Sequence, residues 1–537
     1  MATQTLTQQS ISATPVTRRS YVDTAKTAQA SVHDAIPAAW RLPENIISAA
    51  SPGRGGIKVV DIPRTCGLLN KEQLEITEQT ATELVARMTA GHLSSVQVTE
   101  AFCIRAAVAH QLTNCLTEFF PEEALATAAA LDAHLLETGQ PMGALHGLPV
   151  CIKDMYDVKG HRTTMAFVGW YDNIATQDSA IVRILRAQGA VIHCKTTMPQ
   201  TGMMLESTSW LWGRTSNPFN TALVPGGSSG GDGALIAMKG SPIAPSSDIG
   251  GSIRVPAAYN GLYSLKPSAD RIPRGGLKSP APGNISIKVS CGPQAHSVAD
   301  VKMFTKVINA YPNAKFEANV VPMPWRELST PKHKLSFGLW ETDGVVQPHP
   351  PIRRALRETA QKLIVAGHQV IPIKLPFDCW ENLVVTRKLF FQTGAEEVKT
   401  ILSTAGEPMK PGVKFALETF NTRPLTIKEL FACNTQQTKY KAQMAEFWSG
   451  TAGNTSTGRP IDAILGPVSA AVGARHDVPG YCGYTSVWNI LDYPAGTIPL
   501  KNFKVDETKD PKDVGYEPTT FGPYDRMVHE MCKVPKS

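Results

Sequence analysis

Residues Pro225–Pro267 run PGGSSGGDGALIAMKGSPIAPSSDIGGSIRVPAAYNGLYSLKP. Glycine pairs flank the serine pair in Gly226-Gly227-Ser228-Ser229-Gly230-Gly231, and another pair, Gly250-Gly251, leads into Ser252. Glycines at this density let a backbone turn tightly and come close to a ligand. A serine just after such a turn presents its hydroxyl among bare backbone N–H groups, the local recipe for an activated nucleophile beside an oxyanion hole. The plain alternative is a loop built only for turning, and each half of the stretch taken alone is open to both. The stretch lacks the GK[ST] ending of a phosphate loop, which argues against an ATPase.

Upstream, Gly147-Leu-Pro-Val-Cys-Ile-Lys153-Asp154 interrupts a helical region. Val150, Cys151 and Ile152 form the short apolar run of a buried strand. A lysine ending such a strand either emerges to solvent or is desolvated, and desolvation lowers its pKa until it can serve as a base. Asp178–Gln188 has the pattern of a capped amphipathic helix, and Ala190–Cys194 follows as a strand. That strand–helix–strand order favours a largely parallel, doubly wound core. Helices are predicted over Thr80–Ala90, from Ser94 or Ser95 through Val108, and over residues 121–137, where Pro121-Glu122-Glu123 suits a first turn. The loop Thr196–Leu223, with Trp210 and Trp212, is a candidate pocket wall, together with the mostly helical span 376–460.

The 537 residues allow roughly three or four domains by length, although large single α/β domains are common. Apolar residues at 42% and charged residues at 18% suffice for a large core. The net charge of +7 is spread thinly, with no basic run of the kind that tracks nucleic acid. The ten cysteines form no CxxC pair and no zinc spacing, and several sit in apolar runs, which predicts buried thiols in a reducing compartment. The thirteen histidines show no HExxH or other metal spacing, so neither metal nor cofactor is implied; His161, His193 and His476 read as core or surface residues. No segment is long and apolar enough to span a membrane, and no secretory h-region opens the chain, so a cytoplasmic location is expected. Residues 1–35 predict a disordered tail, 36–70 an arm lying over the domain, 71–520 a single domain, and 521–537 an atypical, shortened C-terminus.

Taken together, GGSSGGDGALIAMKGSPIAPSSDIGGSIRVPA and GLPVCIKD resemble the signature and lysine motifs of the amidase signature family. The spacing of Lys153, Ser228 and Ser252 is similar to that family's Ser-cisSer-Lys triad. IPAAWRL, CGLLNKEQLEITE, HQLTNCLTE, GALHGLP and GYTSVWNILDYPAGTIP are similar to fungal general amidases and acetamidases, so the likeness covers roughly residues 36–500. The resemblance implies an α/β fold with a large mixed β-sheet core covered by helices on both faces. It implies an amidase that hydrolyses carboxylic amides through an acyl-enzyme ester on Ser252, with Ser228 relaying protons to Lys153 as base. It also implies a cis bond between Gly227 and Ser228, an oxyanion hole from the N–H groups of Ile249, Gly250, Gly251 and Ser252, and a substrate-side place for Gly202. Ser229 is expected to hydrogen-bond around the triad, and Asp248 and Arg254 to hold the loop's shape. The implied partner is a small-molecule amide, with no nucleic acid; a homodimer is compatible.

Family members continue through a segment like GAPVGLQLVGRR and a last helix, where this sequence closes with FGPYDRMVHEMCKVPKS. That predicts an open sheet edge and a groove in the core. The alternatives to a working amidase are therefore a weak or inactive amidase-like protein and a subunit of a transamidating complex.

Overall fold

The structure is a computed structural model that describes residues 20–51, 55–312, 317–329, 331, 333–513 and 515–533. Its strands are β1 (Leu116–Phe119), β2 (Pro149–Lys153), β3 (Val191–Thr196), β4 (Thr208–Ser209), β5 (Gly213–Arg214), β6 (Ile243–Asp248), β7 (Tyr263–Lys266), β8 (Ser290–Ala295), β9 (Ser336–Leu339), β10 (Gln369–Pro372), β11 (Ala463–Leu465) and β12 (Ala495–Thr497). They form sheets of order β1-β3-β2, β12-β7-β8-β6 and β10-β9-β11, plus the β4-β5 hairpin. The fold is thus mixed α/β, as expected, with the strands divided among several sheets.

The parallel, doubly wound expectation holds only locally. β2 and β3 pair parallel around the helix Ala180–Ala187, and β9 pairs parallel with both β10 and β11. β6, β7, β8 and β12 are joined antiparallel, and β1 runs antiparallel to β3. The alternation of strand and helix patterns was legible around residues 149–196, whereas the strands after Ile243 are buried runs whose direction no periodicity reports.

The β2 and β6 strands lie side by side. Cys151 N–H donates to Ser241 Oγ (3.1 Å), and the Tyr156 hydroxyl donates to the Ser246 carbonyl (2.9 Å). Every residue of β2, β3 and β6 is buried. Helices enclose them with well-formed starts: Thr80 and Ser94 each accept from the N–H three residues on and receive a reciprocal side-chain bond to their own N–H.

One expectation at the start of the chain needs correction. The disordered tail does not extend to residue 35, because Tyr21–Asp34 is a helix capped by Ser20, which accepts from Asp23 N–H (3.1 Å). Its packed stripe is Thr24, Ala25, Ala28 and Val32, and side chains this small left little hydrophobic signal in a polar composition. Residues 1–19 lie outside the described residues. The closing stretch, read from sequence as an atypical, shortened C-terminus, is helical over Tyr524–Lys533. Tyr524 is buried there, with its ring 5.4 Å from Tyr481 and 5.8 Å from Phe415. Within 36–70, Leu42 N–H donates to Gln111 Oε1 (2.7 Å) and Val59 N–H to the Pro218 carbonyl (2.8 Å).

Among the described residues no helix is long and apolar enough to cross a membrane. The nine cysteines whose side chains are described are free thiols.

Candidate active site

Lys153 ends β2 with its side chain wholly buried, so it does not emerge to solvent. Its Nζ donates to Ser228 Oγ (2.7 Å) and to Ser247 Oγ (2.9 Å). Among the described residues no carboxylate lies within ion-pair distance of it. Burial therefore lowers its pKa to about 8, although the charges of Asp232 and Asp248 pull the other way. Asp232 sits deeper, accepting from the hydroxyls of Thr196 and Ser246, and burial raises its pKa to about 6.

The Gly227–Ser228 peptide is cis. A side chain at Gly227 would place its Cβ 2.5 Å from the Met204 carbonyl oxygen, so only glycine fits there. The Ser229 N–H donates to the Ser252 carbonyl (3.2 Å), tying the two serine loops together, and Ser229 Oγ reaches the Ser247 carbonyl (3.4 Å).

Ser252 follows β6 through the turn Ile249–Gly251, where Gly251 has φ +135° and its missing Cβ would lie 2.4 Å from Thr485 Oγ1. Asp248 fixes this turn. It accepts from Arg254 Nε and Nη2 (both 2.9 Å), from Gly251 N–H (2.8 Å) and from Ile253 N–H (3.1 Å). Burial alone would raise its pKa, but Arg254 outweighs burial and holds it far below the usual carboxylate range. Asn489 and the Thr485 carbonyl complete the cage around the pair.

The Gly251 N–H, expected among the oxyanion donors, donates to Asp248 in this structure. Ile249, Gly250 and Ser252 have N–H groups with no partner among the described residues.

Ser228, Ser247 and Ser252 open onto one cavity of about 330 Å³, which also reaches Gly202. Its apolar lining includes Met155, Met165, Met198, Met203, Ile287, Phe390 and Phe391. Ser252 has no side-chain hydrogen bond among the described residues, and the Ser228–Ser252 contact expected of the relay is not formed here. A second, narrow cavity of about 50 Å³ shares Ser252, Ile249, Gly202 and Phe390 with the first and is edged by Tyr524. Lysine and both serines are thus brought together, with Gly202 at the junction of the two cavities.

Trp210 and Trp212 do not wall either cavity. Trp212 is a core residue donating to Thr164 Oγ1 (3.0 Å), and Trp210 donates to the Pro408 carbonyl (2.8 Å). The span 376–460 does supply wall, through Phe390, Phe391 and Val398. Ser247, Thr485 and Asn489 carried no functional expectation: β6 is buried on both faces, so no alternation marks Ser247. His193 is buried with Nε2 against the Gly240 carbonyl, while His161 meets Glu118 and Glu123 and His476 meets Glu206. Among the described residues no group of three His, Cys, Asp or Glu side chains could hold a metal ion.

Comparison with known proteins gives this geometry a setting. Residues 97–514 match the family model described as Amidase. An amidase from Gibberella zeae is 46% identical over 509 residues, covering 95% of this chain and 92% of the relative. An acetamidase from Aspergillus oryzae is 38% identical, covering 96% of this chain and 94% of the relative. Among solved structures, a fatty acid amide hydrolase superposes with a TM-score of 0.85 at 30% identity, over 97% of this chain and 98% of that one.

Proposed function

This chain belongs to the amidase signature family and is an amide-hydrolysing enzyme; we propose that it works through Lys153, Ser228 and Ser252 by way of an acyl-enzyme ester. Ser252 Oγ attacks the amide carbonyl while its proton passes to Ser228 Oγ and the Ser228 proton passes to neutral Lys153. The carbonyl oxygen gains negative charge and is met by the N–H groups of Ile249, Gly250 and Ser252, each such donor contributing about 3 kcal/mol in the transition state. The proton then returns along the same path to the nitrogen, the C–N bond breaks, and ammonia or an amine leaves. Water enters, loses a proton through the same pair, and releases the carboxylate from Ser252.

One observation carries this reading: a buried lysine whose ammonium, among the described residues, meets only hydroxyls, one of them that of Ser228, which shares a cavity with Ser252. A lysine so placed serves as a base near neutral pH, because burial has removed most of the preference for the ammonium. The cavity accepts a small amide with an apolar acyl group. Purified protein should release ammonia from a panel containing acetamide, hexanamide and benzamide. An alkyl fluorophosphonate should label Ser252. Absence of turnover on every amide together with absence of labelling at Ser252 would overturn the reading.

A further inference from the structure

Two loops beside Ser252 are held in backbone conformations that side chains rarely adopt. Met165 and Ala166 have φ of 46° and 60°, and Thr201 and Gly202 have 73° and 74°. Non-glycine residues stay in this region only when their surroundings hold them there. Both loops face the cavity, through Met165 on one and Thr201, Gly202 and Met203 on the other. On its inner side the first loop is held by Asp154, which accepts from the N–H groups of Thr164 and Ala166 (both 3.2 Å).

The other side of both loops meets a single carboxylate from a distant segment. Glu407 lies between the helices Glu396–Thr404 and Pro411–Thr419 and is only 5% exposed. Its Oε2 accepts from Val168 N–H (2.8 Å), just past the first loop. Its Oε1 accepts from Gln200 Nε2 (2.7 Å), just before the second. Gln200 is wholly buried and returns to the same segment, accepting from Lys410 N–H (2.7 Å) and donating to the Pro408 carbonyl (3.0 Å).

We propose that Glu407 is a positioning residue, whose carboxylate joins the two loops into one wall of the substrate cavity and so sets substrate affinity without taking part in proton transfer. The proposal rests on Ser252 being the reacting group. A carboxylate can accept on both oxygens at once. A protonated acid carries a hydroxyl on one oxygen, and here both partners are N–H donors, so protonation breaks one of the two ties. Lys410 is the cation that bears on Glu407, and its ammonium lies 3.7 Å from the Trp210 ring centre, with Arg214, Glu206 and Asp477 acting on it in turn. Burial raises the Glu407 pKa to about 7, more than Gln200, the Val168 N–H and Lys410 lower it. The wall therefore loosens as pH falls below neutral.

The test measures labelling of Ser252 by an alkyl fluorophosphonate, split into the binding constant KI and the chemical rate kinact. In the native protein KI should rise as pH falls through about 7, independently of any change in kinact. Glu407→Gln keeps the shape but offers one acceptor where two are needed. It should raise KI at about pH 8 by about tenfold with kinact changed less than about threefold, and flatten the pH dependence of KI. The double variant Gln200→Glu/Glu407→Gln reverses the donor and acceptor between the two side chains, and the amide oxygen introduced by Glu407→Gln can still accept from Val168 N–H. It should recover most of the lost affinity, short of the bond to Pro408. An unchanged KI in Glu407→Gln, or single and double variants equally impaired, would overturn the proposal. If Glu407→Gln does not fold, the native profile decides: a KI that is flat from about pH 5.5 to about pH 8.5 overturns it. Absence of labelling in the native protein at every pH would instead remove the assignment of Ser252, and the proposal with it.

Discussion

The neighbouring strands β2 and β3 each bury a lysine near the same end, and the proposed mechanism gives the two lysines opposite tasks. Lys153 and Lys195 are both wholly buried, and burial lowers the pKa of each. Ile152 is the register partner of Lys195, so the two lysines sit one position apart on adjacent strands. Lys153 is met by the hydroxyls of Ser228 and Ser247, which line the cavity shared with Ser252. Lys195 is met by the Arg162 carbonyl and Thr163 Oγ1, with Asp154 at 3.9 Å. Depth of burial does not distinguish a base from a structural cation. What distinguishes them is whether a carboxylate stands ready to hold the charge.

That contrast can be broken from either side. Lys153→Ala removes the proton acceptor and should slow Ser252 acylation by roughly 10³-fold, within the usual range for a general base, measured by fluorophosphonate labelling. Lys195→Met leaves Asp154 buried without its cation. It should cost about 3–5 kcal/mol of stability in a thermal melt, while the protein that remains folded keeps the native pH profile. Loss of that profile in Lys195→Met would place the second lysine in the chemistry and erase the distinction. Ser247→Ala should act least. It removes one acceptor from the Lys153 ammonium, disfavours the charged form, and so moves the rise in rate to lower pH with a loss of about threefold to tenfold. A shift to higher pH would mean that Ser247 does not serve the charged lysine.

The same contrast explains how much could be read beforehand. GLPVCIKD and the glycine-rich stretch singled out Lys153, Ser228 and Ser252 because the proposed chemistry needs those residue types beside tight turns, and tight turns leave glycines in the sequence. The strands Pro149–Lys153 and Val191–Thr196 and the helices Ala81–Thr89, Ser95–Thr113 and Pro121–Thr138 were likewise legible from apolar periodicity and capping residues. Lys195 had no such marker, because its partner Asp154 comes from the end of a separate strand. Ser247 was hidden by a strand buried on both faces, and the helix Tyr21–Asp34 by a stripe of alanine and threonine. The N–H of Gly251 reads in sequence like those of its neighbours, and only the fold shows Asp248 turning back to accept it. Trp210 and Trp212 were conspicuous by type, yet methionines and phenylalanines form the cavity wall. Glu407 belongs to a span without any chemical motif and gains meaning only where two distant loops converge on it.

The central claim is that Lys153 acts as a neutral base, and the pH dependence of Ser252 labelling tests it most directly. The lysine must lose its proton before it can accept one, so kinact for native labelling should climb with pH through a single ionisation at about 8 and then level off. In Lys153→Ala the rate should be low and independent of pH over the same range. A native rate that does not change with pH, or a climb that survives intact in Lys153→Ala, would contradict the account.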